Sequence, residues 1–427
     1  MSIGGRLVTG KNVFFAHSGG VTAVLNNIAH AVITSAEKTP GMAKVYIGEN
    51  GILGAINERL IDTSAWSKSM LDALCYTPAS AFGSCRYKLA NAEDNEQDYR
   101  RIFEVFAAHN IGYFFYNGGN DSQDTTNKIF QYSQKIGYPL VCIGIPKTID
   151  NDLPHTDTCP GFGSAAKYVA TATLEAGLDV KAMSATSTQV FILEVMGRHA
   201  GWLTAATGLA QRHAHDAPHI ILLPERLFSA EKFLEKVRKT IDKNGFCVIT
   251  AAEGLCLSNG QLLTKTALSD AFGHPQLGGL APQLANIITQ HAQLKVHWAV
   301  ADYLQRSAGH LLSATDVAQA KALGEAAVCA ASQGKNGLMM TIKRTSNAPY
   351  KWETSQISLS EVANIERTLP DSFISQDGMH ITSACKTHLR PYIMGECAPP
   401  YRNGIPDYPL FDKRLVTPRC HALVANE

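Results

Sequence analysis

This chain predicts an α/β fold with two Rossmann-like lobes, mainly parallel sheets and a cleft between the lobes. Three observations carry that expectation. Short apolar runs recur along the sequence, each is followed by a glycine-rich or polar loop, and each loop opens a stretch compatible with a helix. Strands alternating with helices imply parallel pairing through crossover connections. The runs are also numerous enough for two sheets, and their loops all lie after strands, the edge at which open α/β sheets bind ligands.

The first run, Val13-Phe14-Phe15-Ala16, leads into Ser18-Gly19-Gly20-Val21-Thr22 and a helical Ala23–Ile33. Glycine there lets the backbone approach an anion, and the helix N-terminus offers unpaired N–H groups. The plainer reading is a tight turn. Next, Ile111-Gly112-Tyr113-Phe114-Phe115-Tyr116 leads into Gly118-Gly119-Asn120-Asp121-Ser122 and a helical Asp124–Ile136. A diglycine followed by oxygen donors suits a phosphate chain with its Mg²⁺, which takes one or two protein oxygens plus waters and phosphates. Its plainer reading is a cap on the next helix by Asp121 or Ser122.

The run Leu140–Ile145 reads as an interior strand, and it delivers the most informative stretch, Pro146-Lys147-Thr148-Ile149-Asp150-Asn151-Asp152. Two carboxylates, a lysine and a threonine at a strand end suit a reaction needing both a base and charge neutralisation. Further on, Val190–Val195 leads into Met196-Gly197-Arg198-His199, His219–Leu223 into Pro224-Glu225, and Phe246–Thr250 into Ala251-Ala252-Glu253-Gly254. Arg198 brings a cation to a helix start, while His199 alone reads as a packed or capping histidine. Glu225 offers an acceptor for hydroxyls, or an ordinary cap after proline. Arg86, after the small-residue loop Ala81–Cys85, can clamp a phosphate bidentately or serve a surface ion pair. Tyr303 and Arg306 are three apart, on one face if helical, a spacing for a phosphate clasp or for a solvated helix.

Composition narrows the class. The 427 residues are 45% hydrophobic and 18% charged with a formal net charge of +1, enough for a large core and against bulk binding to nucleic acid or anionic membrane. The ten cysteines form no C-x-x-C pair or zinc spacing, so a reducing compartment is expected. Met1 to Lys11 lacks a signal-peptide apolar core and no run approaches a membrane span; a soluble cytoplasmic protein is the expectation. No G-x-G-x-x-G follows a strand with a suitably spaced acid, which argues against a dinucleotide site. The tail from about Asp371, rich in proline and aromatics, reads as an ordered extension.

In order and rough spacing, Gly118–Ser122, Pro146–Asp152, Met196–Arg198, Pro224-Glu225 and Tyr303–Arg306 resemble the phosphofructokinases. The likeness runs from about residue 11 to 345, and more weakly through Gly395 and Gly404-Ile405-Pro406. It implies an active-site cleft between a phosphoryl-donor lobe, 1–160 plus about 305–370, and a sugar-phosphate lobe, about 161–304 plus 371–427. Asp121 and Lys147 stand where ATP-dependent members carry glycine and where pyrophosphate-dependent members carry Asp and Lys. Asp121 would set a carboxylate against the α-phosphate of ATP, a like-charge contact in a desolvated cleft. The resemblance therefore implies reversible transfer from pyrophosphate to the 1-hydroxyl of fructose 6-phosphate, in glycolysis and gluconeogenesis, with Mg²⁺ near Asn120 and Asp121.

It also implies roles. Asp150 is the base, Thr148 orients the reacting groups, Asp152 completes the polar cluster and Lys147 stabilises the transition state. Gly20, Arg86 and Lys147 hold pyrophosphate. The sugar phosphate falls to Thr148, Ile149 and Asp150, to Met196, Gly197 and Arg198, and to Glu225, Tyr303 and Arg306. Three departures stand out from the compact bacterial ATP enzymes: Asn120 replaces a metal-binding Asp, and Gln189 and His297 replace arginines that reach a neighbouring subunit's sugar phosphate. A homodimer without effector control is the resulting expectation. The alternatives are an ATP-dependent phosphofructokinase and a non-catalytic sugar-phosphate sensor; retention of Asp150, Thr148, Lys147 and Arg86 argues against the sensor.

Overall fold

Neighbouring residues of the first strand are buried on opposite faces. Phe14 shares a core cluster with Tyr46, Phe114 and Cys142, and Phe15 shares another with Val45, Phe115 and Ile143. A strand covered on both sides must be apolar throughout, which is why the sequence shows continuous runs. The computed structural model describes residues 10–257, 259–264 and 278–421.

In chain order the elements are β1 (Lys11–His17), α1 (Leu25–Ala36), β2 (Met42–Gly48), α2 (Leu53–Ile56), β3 (Leu60–Asp62), α3 (Lys68–Ala73), α4 (Glu96–Ala108), β4 (Ile111–Gly118), α5 (Asn120–Lys135) and β5 (Val141–Pro146). There follow α6 (Phe162–Met183), β6 (Val190–Val195), α7 (Trp202–Ala206), β7 (Ile220–Leu222), α8 (Ala230–Asn244), β8 (Cys247–Ala252), α9 (Leu280–Ala292), β9 (Val296–Val300) and α10 (Leu304–Ser307). The chain then forms α11 (Ala314–Ser332), β10 (Leu338–Asn347), β11 (Tyr350–Ser358) and α12 (Ser383–Leu389).

Seven strands form one sheet in the order β11-β10-β5-β4-β1-β2-β3, parallel except for its two edge strands, and four form a parallel sheet in the order β7-β8-β6-β9. Helices α1 and α11 cover one face of the larger sheet through Ile28, Val32, Leu323 and Ala327. Helices α4 and α5 cover the other through Ile102, Phe106 and Ile129. The smaller sheet is sandwiched likewise, with α6 and α7 on one face and α8 and α9 on the other.

Two expectations are corrected. Helix α5 begins at Asn120, so Asn120-Asp121-Ser122 form its first turn instead of a loop, with Asp121 complementing the helix dipole. The tail, expected to join the second lobe as a whole, divides. Ile374, Ile381, Leu389 and Tyr392 enter the core of the smaller sheet. Leu415 instead bridges Ile61, and Val416 N donates to Leu60 O at 2.8 Å, covering an edge strand that would otherwise present unpaired backbone groups. No helix among the described residues is long and apolar enough to cross a membrane, and all ten cysteines are free thiols.

Candidate active site

Loops leaving the C-terminal ends of β1, β4 and β5 face those leaving β6 and β9 across one cleft. On the first side, residues 146–152 fold into a self-supporting turn. Asp150 N donates to Thr148 Oγ1 at 3.1 Å, and the Oδ1 of Asn151 accepts from Cys159 N at 3.0 Å. Asn151 has φ 54°, a left-handed conformation that asparagine tolerates better than most residues. The turn presents Thr148, Ile149, Asp150 and Asp152 to the cleft.

Lys147 is almost fully buried, and its Nζ donates to Ser18 O at 2.8 Å and to Gly20 O. The ammonium thereby stitches the turn to the glycine loop. Gly19 has φ 73°, where the turn calls for glycine, and a Cβ on Gly20 would lie 2.9 Å from Arg306 Nη1, so a larger residue there would displace the end of that side chain. Arg86 reaches the same place because its loop is tied to this one: Gly19 N donates to Cys85 O at 2.9 Å and Ser84 Oγ to Gly19 O at 2.8 Å.

Burial, and then the Arg306 guanidinium, pull Lys147 down to about 7, against the opposing pull of Asp150. Asp150, facing the cavity but enclosed deep in the protein, is shifted upward, first by burial and then by Asp152 and Glu253. Burial likewise raises Asp152. A carboxylate raised toward neutrality beside an ammonium lowered toward it can take a hydroxyl proton and neutralise a leaving anion. Beneath the loop, His17 accepts from Asn117 Nδ2 at 3.2 Å, and burial followed by Lys147 pushes it down to about 3. It stays neutral and adds no second cation under Lys147.

Asp121 lines the cleft from the first turn of α5. Asn120 lines it too, but its amide is engaged at both ends: Oδ1 accepts from Asn364 N and Nδ2 donates to Ile365 O, each at 2.6 Å. The carbonyl oxygen expected to serve a metal is thus already used within the protein. Among the described residues no three His, Cys, Asp or Glu side chains converge on a possible ion. Asp121 offers a carboxylate to the cleft, which suits a cation such as Mg²⁺ that takes one or two protein oxygens and draws its other ligands from substrate and water. Asp152 Oδ1 is buried without a partner.

On the second side, Met196 and Arg198 line the cleft, and Arg198 Nη1 is buried without a partner. Gly197 lies behind the wall, its N–H directed at Glu253 Oε1 at 3.4 Å. Glu225 is also off the wall. Its Oε1 accepts from Gly201 N and Leu369 N, both at 2.8 Å, and so braces the loop that follows β6, while its Oε2 is buried without a partner. Tyr303 and Arg306 both face the cleft from the short turn around α10, with the guanidinium 4.0 Å from the ring centroid. Arg306 reaches the donor loop at Gly20 as well.

Three ionisable lining side chains, Glu253, His199 and Glu366, were not assigned to the site from sequence. His199 is no packed histidine: it is exposed, and its Nδ1 meets Glu366 Oε2 at 3.0 Å, a hydrogen bond that raises its pKa. Glu253 ends an apolar run and was within reach of the strand-end argument. Glu366 lies in a segment with no motif, and no sequence signal marks it.

Known proteins resemble this chain in sequence and in fold. The family model for phosphofructokinase matches residues 12–331. The pyrophosphate–fructose 6-phosphate 1-phosphotransferase of Methylococcus capsulatus is 52% identical over 399 residues, 93% of this chain and 95% of the relative. That of Halomonas elongata is 53% identical over 396 residues, 92% and 94% of the two chains. The crystal structure of the pyrophosphate-dependent phosphofructokinase from Nitrosospira multiformis superposes with a TM-score of 0.90 at 50% identity, covering 97% of this chain and all of the other.

Proposed function

The chain belongs to the phosphofructokinase family, and from that premise we propose that its cleft transfers a phosphoryl group from pyrophosphate to the 1-hydroxyl of fructose 6-phosphate. The products are fructose 1,6-bisphosphate and phosphate. Lys147 carries the reading: its ammonium, anchored on the Ser18 and Gly20 carbonyls, stands between the glycine loop and Asp150. With Arg86 and Arg306 it makes a compact cationic donor site, and Asp121 opposes any longer, more anionic donor there.

Asp150 accepts the proton of the 1-hydroxyl as that oxygen attacks pyrophosphate, and Thr148 orients the reacting groups. Lys147 neutralises charge on the departing phosphate; removing one preorganised contact of this kind typically costs about 2.7–4 kcal/mol of barrier. Gly20 and Arg86 hold the donor. Met196, Arg198, Tyr303 and Arg306 hold the sugar phosphate, on a loop shaped by Gly197 and Glu225, while Ile149 and Asp152 complete the wall. Asp121, beside Asn120, would hold Mg²⁺, which would supply further neutralisation of the donor's charge. Donor and product lie close in energy, so the reaction runs in both directions, in glycolysis and gluconeogenesis. We place the enzyme in the cytoplasm as a homodimer.

Steady-state turnover of fructose 6-phosphate with Mg²⁺, comparing pyrophosphate with ATP, tests this. Activity with pyrophosphate alone is expected. Activity with ATP alone would overturn the donor assignment while keeping the base. Binding of the sugar phosphate without turnover from either donor would make the protein a sensor.

A further inference from the structure

The segment 359–369 lies beyond residues 12–331, which the family model matches, yet it runs from one side of the cleft to the other. It is fastened to the donor side by the paired Asn120 amide bonds to Asn364 and Ile365, each at 2.6 Å. Glu366 then meets His199 at 3.0 Å, and Leu369 N reaches Glu225 Oε1 at 2.8 Å on the sugar side. Between these fastenings stands Arg367.

Its guanidinium donates through Nη2 and Nε to Asn151 O, at 2.7 and 3.2 Å, and through Nη1 to Thr156 O and, at 3.4 Å, to Asp157 O. Its backbone N donates to Asp152 O at 2.6 Å. The guanidinium lies 4.7 Å from the ring centroid of Trp202, and Trp202 Nε1 donates to Arg367 O at 3.1 Å. The guanidinium thus holds the catalytic turn through the backbone carbonyl of Asn151, and the backbone of Arg367 holds that of Asp152; these two residues directly follow Asp150. Asn151 is the left-handed residue of the turn, a conformation that persists only where its surroundings over-determine it.

We propose that Arg367 is a positioning residue for the phosphoryl transfer: braced on Trp202, its guanidinium fixes the Asn151 carbonyl and so the carboxylate of Asp150. The inference rests on Asp150 being the base. A planar fork with five donors can serve several carbonyls at once, which an ammonium cannot match in a fixed geometry. The fastening also gives Asn120 its work in this chain, anchoring the segment that carries Arg367. Ordinary packing would give the same contacts; the two readings differ in kinetics, because displacement of a base lowers kcat without touching sugar-phosphate affinity.

The experiment compares Arg367→Met, Arg367→Lys and Asp150→Asn with the parent enzyme, measuring kcat, both KM values, fructose 6-phosphate affinity by calorimetry and thermal unfolding. Arg367→Met is expected to lose about 10²-fold in kcat, the scale of a misplacement near 1 Å, with fructose 6-phosphate affinity within about threefold. Arg367→Lys should recover only part of that loss. If Arg367→Met does not fold, Trp202→Phe, which keeps a ring and removes the indole donor, and Arg367→Lys carry the test, each expected to lower kcat by about tenfold. Folded variants with parental kcat, or with the loss confined to KM, would overturn the proposal while Asp150→Asn stays inactive. Parental turnover in Asp150→Asn would overturn the base assignment itself.

Discussion

At the scale of single residues, the cleft pairs a carboxyl raised by burial with an ammonium lowered by it. Asp150 must be ionised to act as base, so kcat/KM falls as pH drops through its raised pKa. Lys147 must be charged to neutralise the leaving phosphate, so kcat/KM falls again as pH rises through about 7. A narrow bell centred near neutrality is expected. In Lys147→Arg, whose guanidinium keeps its proton, the alkaline limb should vanish and the acid limb remain, whatever the drop in rate. Persistence of the alkaline limb would assign it to another group. Donor choice is a second residue-scale matter. The double change Asp121→Gly with Lys147→Gly should lower pyrophosphate turnover by about 10²-fold, the effect of one lost electrostatic contact; undiminished turnover would remove both from donor selection. Asp150 and Lys147 were legible because they lie within one heptapeptide at a strand end. The His199–Glu366 pair was not, since its members are 167 residues apart and neither sits in a motif. Glu225 was read as a ligand from its place at a strand end; its Oε1 accepts from the Gly201 and Leu369 amides, a second use that sequence does not reveal.

At the scale of elements, the apolar runs foretold the strands, because burial on both faces leaves an uninterrupted signal. Helix starts were less legible. α5 begins at Asn120 with Gly119 as its N-cap and no side-chain cap, so the usual polar signature was displaced by one turn. Helix α6 is capped from far away: the Asp316 carboxylate, in the first turn of α11, accepts from Gly161 N at 3.0 Å and Ser164 N at 2.8 Å. Sequence cannot reveal a cap lent by another helix. Burial lifts Asp316 to about 6, so ionising it works against folding. Removing it leaves two buried amides unpaired, about 1–3 kcal/mol each, which exceeds the relief from no longer burying the charge. Asp316→Ala is expected to be less stable by about 1–3 kcal/mol, read as a lower denaturant midpoint. The sign with pH follows from proton counts. Between the ordinary carboxyl range and about 6 the native state holds the extra proton, so this group's contribution declines as pH rises through that window. The gap between parent and variant should be wider at pH 5 than at pH 8. A gap wider at pH 8 would mean that the cap stabilises the anion.

At the scale of the whole molecule, the two sheets converge on one cleft, but not every functional candidate points there. Gln189 directly precedes β6, and His297 lies near the start of β9, whereas the cleft opens past the far ends of these strands, at Met196 and Tyr303. At about 3.3 Å per strand residue, Gln189 lies roughly 20 Å from its own chain's cleft. Neither side chain lines its own chain's cleft. Among the described residues β9 is also an edge strand, paired only with β6, and it leaves Trp298 48% and Val300 39% exposed. An open edge bearing large apolar side chains is a surface that a monomer would normally protect. A second copy covering it accounts for both facts and supports the homodimer. Mass photometry should then show a particle of twice the chain mass, and Trp298→Glu, a charge on the edge remote from the cleft, should shift it to the monomer. A parent particle of four chains would overturn the dimer, and an unshifted dimer in Trp298→Glu would move the interface off β9. If the monomer forms while the KM for pyrophosphate stays near its parental value and that for fructose 6-phosphate rises, the second copy acts on the sugar side alone.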